Sequence, residues 1–138
     1  MGSEMCIRDR FREVHFTNTW NSGPSESEEW SAGSVSLQVT HSPGHAPGHV
    51  TIHGHGVYHA GDLLFVRSAG RVDLPGGDPL AQQKSLIKAK AVLSSLDSNW
   101  RLIPGHRYDS YGGKTPDWIS VGEALVHNYF LSNISMID

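Results

Sequence analysis

The sequence predicts a layered α+β domain, and three observations carry that expectation. Val35, Leu37 and Val39 alternate with polar residues, as a half-buried strand does. Val50 to Ala60 repeats the alternation on either side of Gly54 and Gly56, which reads as a β-hairpin. Leu86, Ala89, Leu93 and Leu96 then recur at helical spacing, so an amphipathic helix follows the strands. A strand, a hairpin, a helix and a further short strand in that order fit a sheet with helices packed on it.

Taken in chain order, residues 1–10, MGSEMCIRDR, have neither an apolar period nor the apolar core of a secretory signal. They coincide with the in-frame translation of the mosaic-end adaptor used in transposase-based DNA library preparation, with a GTG start written as Met. They are therefore expected to be an artefact of sequencing, with natural residues from Phe11 onward and an earlier part of the gene missing. Residues 21–33, NSGPSESEEWSAG, are rich in Ser, Gly and Glu and read as a loop. The strand around Val35 to Val39 runs into HSPGHAPGH, where Pro43-Gly44 and Pro47-Gly48 force a tight, rigid loop. After the hairpin, Gly61-Asp62 opens the next loop. Asp78 can cap the free amides of a helix that Pro79 begins, because the first helical position needs no donor. That helix is expected to run to about Leu96, followed by a strand from Arg101 to Ile103 that stops at Pro104-Gly105-His106. Trp118 to Leu131 reads as a last helix, weakened by Gly122. Trp118, Tyr129 and Phe130 are expected to pack in the core or on a helix face.

At 138 residues and 38% hydrophobic content, the chain is the size of one domain with a modest core. A net charge of −3 gives no support for nucleic-acid binding. No apolar run approaches the roughly 18 residues of a membrane span. The single cysteine, Cys6, lies in the first ten residues, so beyond them there is no disulfide framework, cysteine zinc site or thiol nucleophile. The absence of disulfides suits a cytoplasmic protein; the partner expected is a small-molecule substrate, with neither nucleic acid nor membrane.

Nine histidines are the conspicuous feature, six of them between residues 40 and 62. Three loops each present one candidate metal ligand just after a strand: His45 in HSPGH, Asp62 in HAGD and His106 in IPGH. Imidazole and carboxylate are the ligands expected of a zinc or iron site lacking thiols, and a Pro/Gly loop after a strand aims them rigidly. His41 precedes the first loop and can support a ligand or donate to a backbone carbonyl. His49 is expected to pack behind the loop, and His53 and His55 to be solvated at the hairpin tip. Arg71 can grip a substrate carboxylate, or pair with Asp73 to staple its own loop. Tyr108, two residues after His106, can point toward substrate or pack as an aromatic.

The set in this order resembles the metallo-β-lactamase superfamily, and within it the glyoxalase II-like hydrolases. HSPGHAPGHV is similar to the motif HxPGHxxG, HAGDLLF to GDxLF, and IPGHRY to PGH, a resemblance covering about residues 35–131. It implies an αββα sandwich with metals at one edge between the sheets. Residues 11–138 would be the C-terminal part of such a domain. The resemblance further implies that His45 binds a first zinc ion, Asp62 bridges two, and His106 binds the second. A shared hydroxide would then attack a thioester or related ester. GRVDLPGGDP, residues 70–79, resembles a segment shared by glyoxalase II-like proteins and persulfide dioxygenases. Where glutathione hydrolases carry Lys and Tyr, this chain has Arg71, Val72 and Asp73, which speaks against a glutathione thioester. The alternatives are a persulfide dioxygenase-like enzyme with one iron ion, and a non-catalytic member of the superfamily.

The chain departs from the family at HxHxDH, which would lie upstream. The local His53-Gly54-His55 is followed by Val57 and Tyr58 where Asp and His should stand. With only half a sandwich the chain is expected to expose apolar surface and to be of low stability. The 138-residue chain is accordingly expected to bind zinc weakly and to lack thioesterase activity. Elemental analysis after chelator treatment checks this, and a stoichiometric dinuclear site would overturn it.

Overall fold

The structure, a computed structural model, describes residues 22–107 and 115–134. Six strands form one sheet in sequence order: β1 (Ser27–Ala32), β2 (Val35–His41), β3 (Val50–Gly54), β4 (Val57–Gly61), β5 (Arg101–Pro104) and β6 (Ile119–Ser120). Every neighbouring pair is antiparallel except β4 and β5, which are parallel. A parallel pair needs a long crossover, and helix α1 (Pro79–Ser95) lies in it. Two short helices close the described chain, α2 (Val121–His127) and α3 (Tyr129–Asn133). The α+β expectation is met by a mixed sheet with helices.

The hairpin forms as the sequence reads. β3 and β4 are joined by His55 and Gly56, both at positive φ (51° and 84°), the combination that suits the right-handed twist of a two-residue hairpin. Asp78 caps α1 by accepting from the amides of Leu80 and Ala81, with Pro79 in the first turn. Gln82, Ser85, Leu86, Ala89 and Leu93 form its buried stripe. The apolar members join Tyr58, Ala60, Leu102 and Ile119 of the sheet and Val121, Ala124 and Leu131 of the last helices in one core. Tyr58 is fully buried, and burial pushes its phenol up to about 12.

Four expectations are corrected. Residues 27–32 are not loop but strand β1, paired along its whole length with β2 from Ser27↔Thr40 to Ala32↔Val35. Strand character there comes from backbone pairing across the Gly33-Ser34 turn, because an edge strand with mostly exposed side chains shows little apolar alternation. The single helix expected over 118–131 is instead β6 followed by α2 and α3. Ser120 caps α2 and Asn128 caps α3, each through its side-chain oxygen. Asn128 is buried, and its amide nitrogen also donates to the carbonyls of Phe65 and Ser68, so it ends one helix, starts the next and pins a turn of the chain. Trp118 is exposed and outside any helix, with the Arg101 guanidinium 4.4 Å from the centre of its ring, whereas Tyr129 and Phe130 lie exposed on α3, the helix-face alternative of their expectation. His53, expected to be solvated, is half-buried and stacks on Tyr58 at 6.0 Å between ring centres.

That placement gives His53 a pH signature. Burial, and secondly the charge of Lys88, hold its pKa below the ordinary value of 6.5. Below about pH 6.5 the unfolded chain takes up a proton that the folded chain resists, so this stability is intact above that pH and is lost as pH falls through the folded pKa. Urea midpoints are expected to drop between pH 7.5 and 5.5, and to drop less in the variant His53→Phe.

Candidate metal centre

Strand directions bring the three candidate ligands together. β2 and β3 are antiparallel, as are β3 and β4, so β2 runs the same way as β4 and its parallel partner β5. The C-terminal ends of β2, β4 and β5 therefore lie at one edge of the sheet, and the loops leaving them carry His45, Asp62 and His106 in turn. Asp62 is 2% exposed, and its two carboxylate oxygens face different rings. Oδ1 lies 2.6 Å from Nδ1 of His106, and Oδ2 lies 3.5 Å from Nε2 of His45. The rings themselves are partly open, at 27% and 30% side-chain exposure, so the cluster meets solvent on the imidazole side.

Backbone contacts set each ligand. Nδ1 of His45 lies 2.8 Å from the carbonyl oxygen of Arg71. A carbonyl only accepts, so Nδ1 carries a proton, and Nε2 is turned to the Asp62 side. This is how a metal-binding imidazole is usually oriented. The Asp62 amide donates to Nε2 of His49 at 2.9 Å, which requires His49 to be neutral on that nitrogen. Burial holds its pKa below the usual imidazole value. The Gly105 amide donates to the Gly61 carbonyl at 2.7 Å, tying the residue before His106 to the residue before Asp62. Phe65 sets its ring edge-on to His106 at 6.0 Å between centroids.

The other sequence candidates sit as follows. His41 bonds through Nε2 to the carbonyl of Pro47 at 2.7 Å, bracing the loop that carries His45. Arg71 and Asp73 form a two-pronged pair at 2.7 and 2.8 Å, which holds the Asp73 carboxyl down to about 2. Both side chains are more than 60% exposed, so the contact of Arg71 with the cluster is made by its backbone. Tyr108 lies outside the described residues. A cleft of about 460 Å³ lined by Val66, Arg67, Pro116, Ile119, Glu123 and His127 contains none of the three ligands. Its metal-type donors are Glu123 and His127, two against the three of the cluster.

Sequence reasoning missed Gly70, Gln82 and Ser85. Gly70 is wedged between two of the ligands: a Cβ there would overlap the carbonyl oxygen of Asp62 and come within 3.3 Å of Nδ1 of His45. Ser85 donates to the Pro43 carbonyl at 2.6 Å and Gln82 to the Gly70 carbonyl at 3.1 Å, so the first turns of α1 hold the ligand loops. A faint signal existed in the sequence, where two polar residues occupy the buried stripe of an amphipathic helix.

Among the described residues no three His, Cys, Asp or Glu side chains form a group able to hold one ion. Asp62 instead offers one oxygen toward each of two imidazoles, which suits a carboxylate shared between two ion positions, each completed by further ligands. By donor chemistry the residues fit zinc or iron.

Comparison with known proteins agrees in kind. Residues 6–106 match the model of the metallo-beta-lactamase superfamily. The hydroxyacylglutathione hydrolase of Aeromonas salmonicida is 38% identical over 74 residues, 54% of this chain and 27% of that protein. ETHE1 from Myxococcus xanthus superposes with a TM-score of 0.61 at 28% identity, covering 79% of this chain and 45% of the other. TTHA1623, solved in a di-iron-bound form, gives a TM-score of 0.59 at 30% identity over 94% of this chain and 58% of the other. The chain spans less than half the length of the curated relatives it matches.

The wedge at Gly70 yields a direct test. Gly70→Ala must push the backbone of Asp62 or Arg71 aside and is expected to cost about 1–3 kcal/mol in urea denaturation. Gly48→Ala, where nothing lies within 4 Å of the added carbon, is expected to stay within about 0.5 kcal/mol of the parent.

Proposed function

The chain belongs to the metallo-β-lactamase superfamily, and on that premise we propose that it carries part of the centre of a two-zinc hydrolase cleaving a thioester or related ester. The observation that carries this reading is the Asp62 carboxylate, buried and with one oxygen toward His45 and the other toward His106. His45 would hold the first ion through Nε2, His106 the second, and Asp62 both. When bound, the two ions supply a hydroxide nucleophile at neutral pH and polarise the scissile carbonyl.

The chain's own residues do the rest. The Arg71 carbonyl keeps the proton of His45 on Nδ1. His49, neutral at Nε2 and half-buried, fixes the Asp62 backbone by accepting its amide. Gly105 and Phe65 hold His106 against the carboxylate. In this reading Tyr108 and the Arg71 guanidinium border the substrate, with Arg71 exchanging the Asp73 carboxylate for one of the substrate. Arg71, Val72 and Asp73 point to an acyl thioester other than one of glutathione.

A second reading, a one-iron enzyme of the persulfide dioxygenase kind, rests on the same motifs, and the likeness to a protein solved in a di-iron-bound form supports iron as the element, not the count of one. The same His45 and Asp62 would serve it. A protein that carries this chain together with an upstream HxHxDH segment decides between them. Two zinc ions per chain, thiol release from an acyl thioester, and a loss of at least about 100-fold in Asp62→Asn are the outcomes expected of the hydrolase. One iron per chain with dioxygen consumption and no thioester cleavage would replace it by the second reading. Full activity in Asp62→Asn would remove Asp62 from the centre.

A further inference from the structure

Gln82 lies on the second turn of α1, outside every motif, and is 6% exposed. Its side-chain nitrogen donates to the Gly70 carbonyl at 3.1 Å. Gly70 is the residue before Arg71, whose own carbonyl takes the Nδ1 proton of His45 at 2.8 Å. The other side of Gln82 is pressed on Gly44, the residue before His45: a Cβ on Gly44 would meet the Gln82 Cβ at 2.6 Å and overlap its Oε1. One buried side chain thus touches the backbone on both sides of the His45 ring, at the loop that carries the ring and at the loop that accepts its proton. Asp78 and Ser85 flank it on the same helix, the Asp78 amide donating to the Gly44 carbonyl at 2.8 Å and the Ser85 hydroxyl to that of Pro43 at 2.6 Å.

From this geometry we infer that Gln82 is a positioning residue for the metal centre, fixing the 70–71 backbone so that His45 is held in the Nδ1–H tautomer with Nε2 turned to the Asp62 side. The inference rests on the reading of His45 as a ligand. The argument from chemistry is specific. Oε1 of Gln82 is buried without a hydrogen-bond partner. A buried unmet acceptor is a cost that an apolar residue of the same shape would not incur. What Gln82 does that Leu or Met cannot is donate to Gly70. Without that donor the buried Gly70 carbonyl loses its hydrogen bond, and the 70–71 backbone that sets the Arg71 carbonyl on Nδ1 of His45 is held less firmly. Ser85 and Asp78 hold only the His45 loop, so they set where the ring is but not which nitrogen carries its proton.

The test uses the 138-residue chain labelled with ¹⁵N-histidine, with the His45 signals assigned from His45→Gln. In the parent, long-range proton–nitrogen spectra are expected to show His45 as one tautomer, protonated on Nδ1. Gln82→Leu, and Gln82→Met as a second, unbranched variant of similar length, are expected to give a mixture of tautomers. Both are also expected to weaken the response of His45 to titrated Zn²⁺ by about tenfold or more. Leu86→Val, a destabilising change in the neighbouring core, should alter neither. A single Nδ1–H tautomer with parental Zn²⁺ response in both Gln82 variants would overturn the inference, as would equal changes in Leu86→Val. A Zn²⁺ response elsewhere in the chain that survives His45→Gln undiminished would instead overturn the ligand reading on which it rests.

Discussion

The parallel pairing of β4 with β5 is the constraint on which the rest depends. Antiparallel neighbours can be joined by a two-residue turn, but two parallel strands must be joined by a crossover. Here that crossover starts at Asp62, which leaves the end of β4, and returns through α1 to β5, whose own end delivers His106. The requirement that places the two residues at one sheet edge also supplies the helix that covers the sheet. Because β2 shares the direction of both strands, His45 leaves at the same edge, and 60 residues of chain between first and last ligand are brought within one carboxylate's reach.

The buried stripe of α1 changes character along its length for a related reason. Its C-terminal part, Leu86, Ala89 and Leu93, lies over the apolar face of the sheet, where removing carbon from water is the gain. Its N-terminal part lies over loops whose carbonyls have no partner in the sheet. A buried carbonyl needs a donor, and Ser85 and Gln82 supply donors to Pro43 and Gly70. The helix is therefore both a cover for the core and a support for the site. Asn128 performs the same service at the far side, donating to two carbonyls of the turn that follows Leu63 and Leu64.

Superfamily membership and this geometry are compatible with more than one chemistry. Histidine nitrogen and aspartate oxygen bind zinc and iron alike, and ion choice depends on ligand number and geometry around the whole centre. Among the described residues His45, Asp62 and His106 bring together two imidazoles and one carboxylate, whose donor atoms are of the kind that binds either metal. Arg71 and Asp73 lie on the surface and hold each other.

Much was legible in the sequence because it is local. Period-two alternation, the hairpin turn at Gly54 to Gly56, the Asp78-Pro79 helix start and the Pro-Gly loops each express a preference of a few consecutive residues, and each is found where the sequence puts it. The ordered trio of His45, Asp62 and His106 was legible as pattern alone. Edge strand β1 and the division of the last helix were not, since one arises from pairing with a neighbouring strand and the other from an asparagine whose partners are sixty residues away. Nor could sequence say that Gly70 must lack a side chain, that Gln82 meets two loops, or that His53 lies on Tyr58. Short-range sterics and hydrogen bonding fix turns, caps and candidate ligands by themselves. Which ring faces which oxygen depends on contacts between distant segments, and only the assembled sheet and its crossover helix decide those.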